Sequence, residues 1–198
     1  MKESKNETDR QNFQSIYGAL FFGVPNQGMD TTDIASIVGD LPARYTLNLL
    51  DDKLGFRLRQ RSHQEFINAF DFKDSKIISF IELETSPTIQ KVRNLSQWLF
   101  RTNKLCQGEA TQKWMYTGPR KLLVGPSSAA YGRPWEAGDD YIISLHVNHY
   151  NMVKLSPYDR EVYPKARVIL QDFVGSAVSV IEARTRGLSP STMFRAGA

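Results

Sequence analysis

Residues 18–30, GALFFGVPNQGMD, decide how this chain is read. Ala19, Leu20, Phe21 and Phe22 form an apolar run without polar alternation, the pattern of a strand covered on both faces in a parallel sheet. Gly23, Pro25, Asn26 and Gly28 follow as the residues of a sharp exit turn. A strand buried in this way needs a neighbour on each side, yet only seventeen residues precede it and most of them are polar. The expectation is that part of the sheet is encoded upstream.

Working outward, two more segments read as buried strands, residues 76–83 (KIISFIEL) and 121–124 (KLLV). Between the strands the apolar residues recur at helical spacing. Leu54, Leu58, Phe66, Ile67 and Phe70 fit one helix loosely, and Ile89, Val92, Leu95, Trp98 and Leu99 fit a second. Thr31, Thr32 and Asp33 are capping residues for a short helix through Val38 that Gly39 would end. Strand followed by helix, repeated, predicts an α/β fold with a mainly parallel sheet in three layers. From Pro164, residues Ala166, Ile169, Leu170, Phe173, Val174, Ala177, Val178 and Ile181 predict a long helix, with Pro164 in its first turn. Residues 1–182 thus form one domain, and 183–198 lack an apolar period and read as a disordered tail or linker. Trp114, Met115 and Tyr116 are an added strand or a loop over the sheet.

Composition narrows the function. The formal charge of +4 arises from 25 basic and 21 acidic residues spread along 198 positions, too weak a balance to predict nucleic-acid binding. The most basic stretch, 57–61, reads as one solvated helix face. Cys106 is the only cysteine, which excludes an intrachain disulfide and any metal site built from several thiolates. The first fifteen residues lack the apolar core of a signal peptide, and no stretch approaches the roughly 20 apolar residues of a membrane span. A soluble, intracellular protein without a transmembrane segment is expected.

Three histidines are present. His63 lies among polar residues of a predicted helix and reads as a surface residue. His146 and His149 occupy SLHVNHYNM, between a short apolar stretch and the last helix. Catalytic groups of open α/β sheets gather beyond the carboxyl ends of strands, which suits a general base here; loop histidines making local hydrogen bonds are the alternative. A serine nucleophile is conventionally presented on G-x-S-x-G, and that motif is absent. The nearest segment, GPSSA at 125–129, stands only about twenty residues before His149, too few for the elements that ordinarily intervene. Gly132 and Pro134 also cut short any helix after it. Neither a G-x-G-x-x-G nor a G-x-x-x-x-G-K-[ST] motif occurs, and no further ligands accompany His146 and His149, so no cofactor and no metal are expected. Asp139 and Asp140 read as a solvated turn.

Taken in order, YGALFFGVPNQGMD, FIELETSPT, LLVGPSSAAYGRPWE and SLHVNHYNMVKLSPYD resemble the C-terminal half of a lipase-like α/β-hydrolase domain. That domain is known from the serine-active-site-containing family and from the N-termini of fungal NACHT, ankyrin and tetratricopeptide receptor-like proteins. The resemblance spans roughly residues 5–175. It implies an incomplete α/β-hydrolase whose nucleophile elbow, typically G-H-S-x-G-G, would lie upstream of the strand at 19–22. It implies His149 as the general base. Relatives commonly carry the triad acid just after the strand that looks like 121–124, where this chain has Gly125, Pro126 and Ser127; Glu136 and Asp139 are the candidate replacements. Two functions follow: a non-catalytic binding or signalling module of a receptor-like protein, or a serine ester or lipid hydrolase whose nucleophile comes from a missing N-terminal segment or a partner chain. A stable domain with an unrelated interaction role is the third. The resemblance also implies an exposed strand edge that a protein partner, the missing half or a second copy would cover.

Overall fold

An apolar run such as KIISFIE cannot face water on either side, so its strand must lie between neighbours with both faces covered. A computed structural model, which describes residues 6–38, 42–51, 55–93, 112–130 and 132–186, places it there. Strand β2 (Lys76–Glu82) is the middle of a three-stranded parallel sheet, flanked by β1 (Gly18–Phe22) and β7 (Ile142–Leu145). Gly18 stands opposite Lys76 and Phe22 opposite Phe80, while Ser79 pairs with Ile142 and Glu82 with Leu145. The carboxyl ends of all three strands therefore open on one side of the molecule.

Side chains alternate between the two faces with the period of two that a pleated strand imposes. On one face Ile78, Phe80, Leu20, Phe22, Ile143 and Leu145 meet Ala166, Ile169 and Phe173 of the long helix α6 (Val162–Thr185). Phe22 and Phe80 stack with ring centroids 4.4 Å apart. The Phe173 ring occupies the space where a side chain on Gly18 would project, so the helix lies directly on the strand. On the other face Ala19, Phe21 and Ile77 meet Phe13 of α1 (Glu7–Gln14) and Phe70, at the end of α4 (Phe56–Ala69). Ile81 and Ile142 pack there on Val124 and Ala129, the latter in the single-turn helix α5 (Pro126–Ala129). Helices thus cover both faces, as the α/β reading requires. Arg184 ties the last turn of α6 to the entrances of β1 and β2: its Nε meets both carboxylate oxygens of Asp74 at 3.1 and 3.2 Å, and Nη1 donates to the Ile16 carbonyl at 2.7 Å.

After β1 the chain turns through Gly23 into α2 (Thr32–Val38), and α3 (Ala43–Leu50) leads on towards α4. The N-terminal cap of α2 comes from Asp30, whose Oδ1 accepts the Thr32 amide hydrogen at 2.9 Å. Lys121 reaches Asp30 at 2.8 Å and Asp33 at 2.6 Å. Its ammonium, more than the Thr32 hydrogen bonds, holds the Asp30 carboxyl far below the usual carboxylate range. Gly39, predicted to end α2, lies outside the described residues.

Four expectations are corrected. KLLV does not enter the parallel sheet. Both flanks of β2 are taken by β1 and β7, and only β6 (Arg120–Lys121) is a strand, paired antiparallel with β3 (Ser86–Pro87). The helix expected over 89–99 begins instead as β4 (Gln90–Arg93), antiparallel to β5 (Gln112–Met115); residues 94–99 lie outside the described part. Trp114 and Met115 of the tryptophan-containing run therefore belong to an added strand, in a two-stranded antiparallel pair apart from the main sheet. His63 is half-buried against the Gly132 backbone, and that burial lowers its pKa. The tail expected from 183 overlaps the last turn of α6, and 187–198 are outside the described residues. Among the described residues no helix is long and apolar enough to cross a membrane.

Candidate functional site

Parallel strands deliver their following loops to one end of a sheet, and here three loops converge. Glu82 is the last residue of β2. The ladder continues beyond it, the Leu83 and Glu84 amides donating to the carbonyls of Leu145 and Val147 at 2.9 and 3.3 Å. That continuation carries the chain after β7 across the end of β2 and brings His149 above Glu82. The His149 amide donates to the hydroxyl of buried Ser86 at 3.1 Å. Asn148 then reverses the chain, its carbonyl accepting from the Asn151 and Met152 amides at 3.0 and 3.1 Å. Met152, wholly buried in the α6-side core, anchors the loop.

The histidine Nδ1 lies 3.7 Å from Glu82 Oε1. Glu82 has a fully buried side chain, and its Oε1 also accepts the Val124 amide hydrogen at 2.8 Å. Glu82 Oε2 and His149 Nδ1 are both buried with no hydrogen-bond partner among the described residues. A buried carboxylate that is not fully hydrogen-bonded is costly, and the His149 imidazole is the side chain that stands beside it. With Nδ1 turned to the carboxylate, Nε2 is left for chemistry, and the ring retains 30 % exposure. At 3.7 Å the two groups face each other without a hydrogen bond; a carboxylate in this position can select an imidazole tautomer, and such contacts are often long before substrate binds. Tyr150 stands edge-on to His149 at 6.3 Å and to Tyr116 at 5.3 Å. Burial, then the neighbouring Tyr116 and the Glu82 charge, raise the Tyr150 phenol above its ordinary pKa.

Gly23 closes the third side. Its φ is +56°, and a Cβ built there would stand 2.9 Å from His149 Cε1, 3.0 Å from Nδ1 and 3.2 Å from Met152 Sδ. A side chain at position 23 and the imidazole over Glu82 cannot both be accommodated. Gly23→Ala is expected to cost about 1–2 kcal/mol through left-handed backbone strain. It should also shift the His149 ring resonances in NMR spectra, because the ring must move from its position against Gly23. Unchanged ring resonances would show that the contact does not position the histidine.

The two acids proposed from sequence sit elsewhere. Glu136 is buried at the opposite end of β2, where its Oε1 accepts the Ile77 amide hydrogen at 2.6 Å and its Oε2 the Arg133 Nε hydrogen at 2.7 Å. Asp139 is exposed in the turn before the amino end of β7. Five residues of strand, roughly 16 Å, separate the Glu136 end of β2 from Glu82. Neither is brought to His149; the carboxylate beside it is that of Glu82. His146 is exposed, with its amide donating to Glu161 at 2.7 Å, and does not join the site. Ser127 is exposed, whereas Ser128 is buried and donates to the Gly28 carbonyl at 2.8 Å. Among the described residues no three His, Cys, Asp or Glu side chains gather as a metal site would require. No protein-family model, no curated protein and no solved structure matches this chain.

Proposed function

We propose that this chain carries the acid–base half of an α/β-hydrolase-like ester-hydrolysing site, with Glu82 as the acid and His149 as the general base. The nucleophile, in this reading, is delivered by a segment beyond the described residues. The observation that carries it is the placement of His149 3.7 Å from the buried Glu82, beyond the carboxyl ends of two adjacent parallel strands. The sheet is open beside β1, which is its outer strand among the described residues. A further parallel strand there would end beside Gly23, on the same side as His149. The resemblance drawn from sequence puts the strand and elbow of a G-H-S-x-G-G serine in that place.

By itself the chain is then non-catalytic, and it serves as a binding or signalling module of a receptor-like protein until the nucleophile segment is present. His149 would take the serine proton through Nε2 as the hydroxyl attacks an ester carbonyl, then return it to the departing alcohol. The test compares this chain with a version extended by the reading frame upstream of Met1, each assayed with a short p-nitrophenyl ester and a fluorophosphonate probe. Turnover and serine labelling only in the extended protein are expected. Labelling of neither would leave the module reading alone, and His149-dependent turnover by the chain as given would overturn the division of the site.

A further inference from the structure

Helix α6 is apolar on two sides. Its inner side meets the sheet, yet on the side facing away Val168, Val174 and Val178 remain 64, 73 and 65 % exposed. Single exposed apolar residues need no explanation, but Val174 and Val178 stand one turn apart on the same outward face and form a short apolar stripe there, while Val168 lies about 120° farther round the helix. Beside that stripe runs a groove of about 420 Å³, lined by Leu155, Tyr163, Arg167, Leu170, Gln171 and Val174. A Cβ built on Gly175 meets nothing within 4 Å, so the middle of the stripe is open to close approach.

We propose that this face binds a second copy of the chain, α6 against α6, antiparallel about a two-fold axis between Val174 and Gly175. Charge placement selects that occupant. The seam runs Arg167, Gln171, Val174, Val178, Glu182, spaced by three and four residues so that all lie on one face. Arg167 is seven residues before Val174 and Glu182 seven after Gly175. In an antiparallel pair each Arg167 therefore stands opposite the Glu182 of the other copy, twice over by symmetry. Parallel pairing would set like charges together. Among the described residues the Glu182 side chain meets the exposed Arg186, at 3.2 Å, a contact weak enough to be exchanged. The same register carries Val178 of one copy to the groove of the other, and Gly175 at the axis lets the helices approach to about 8–10 Å.

The seam is about 22 Å long, which places the interface at the small end of specific contacts and predicts a dissociation constant on the order of 10 µM. Sedimentation equilibrium over a concentration series around that value tests it. Arg167→Glu and Glu182→Arg should each weaken the dimer about tenfold, the double reversal should restore it to within about threefold, and Val174→Asp should abolish it. All three positions are exposed, and circular dichroism confirms that each variant keeps its fold. A chain that stays monomeric throughout, a double reversal that fails to restore association, or a dimer indifferent to all four changes would each overturn the proposal. The last result would move self-association to the open edge of β1.

Discussion

Arg133→Met is expected to destabilise the fold by about 3–5 kcal/mol, and Glu136→Gln by a similar amount, because either change leaves one member of a buried pair without its counter-charge. Arg133 has a wholly buried side chain, and that of Glu136 is 2 % exposed. The guanidinium spans more than its carboxylate. Its Nη1 donates to the carbonyls of Phe70 and Phe72 at 3.1 and 3.0 Å and to the Ser75 hydroxyl at 2.7 Å, and Nη2 donates to the Ser75 carbonyl at 2.9 Å. These acceptors end α4 and form the turn into β2, while Glu136 holds the first inner amide of that strand. The pair therefore fixes where the central strand begins. Arg133→Lys should recover little of the loss, since an ammonium cannot reproduce the planar fork that reaches the carboxylate and three backbone carbonyls together. With total stabilities of about 5–15 kcal/mol for domains of this kind, the effect is a large share. Urea denaturation monitored by circular dichroism measures it; a lysine variant within about 1 kcal/mol of the parent would count against the clamp.

What sequence reading recovered and what it missed follow one division, between local pattern and distant pairing. β1, β2 and α6 were legible because their apolar residues run continuously or at helix spacing along enough chain, whereas α4 was read from a looser helical fit. KLLV has the same composition as a buried strand, but a place in the sheet depends on which strands reach β2 first, and the run after Tyr141 takes that place. Ile89 and Val92 matched a helical step by coincidence; pairing with β5 settles Gln90–Arg93 as extended chain, as tertiary context often does for short β-branched segments. His146 and His149 were both singled out by their position before the last helix, and the resemblance chose His149 between them. Glu82 was not singled out, because one acid at the end of an apolar strand makes no local pattern and its partner is far along the chain. One signal was available: KIISFIE is apolar almost throughout, and its closing carboxylate falls at the end of a strand where ligands bind. Glu136 attracted attention as an acid near His149 in sequence, yet its partner is Arg133, three residues earlier.

Once a serine is supplied beside β1, His149→Ala should lower kcat by about 10⁶-fold and Glu82→Gln by about 10⁴-fold. The two differ because the histidine moves the proton, whereas the carboxylate holds the ring with Nδ1 protonated and steadies the imidazolium that forms. Glutamine keeps the size of Glu82 and removes the charge; its amide can then point a hydrogen at Nδ1 and favour the tautomer with the proton on Nε2, where it blocks the base. That consequence is measurable without any nucleophile. Nitrogen-15 spectra of the chain as it stands should show Nε2 unprotonated in neutral His149, and the Glu82→Gln variant should shift the population towards the other tautomer. Asp139→Asn should alter neither spectrum nor turnover, since that side chain is exposed at the far end of the sheet. Glu136→Gln should reduce stability while the protein that remains folded keeps the His149 signature. A Glu82→Gln variant with unchanged tautomer and unchanged kcat would remove Glu82 from the site, and with it the reason for reading this end of the sheet as half of a catalytic centre.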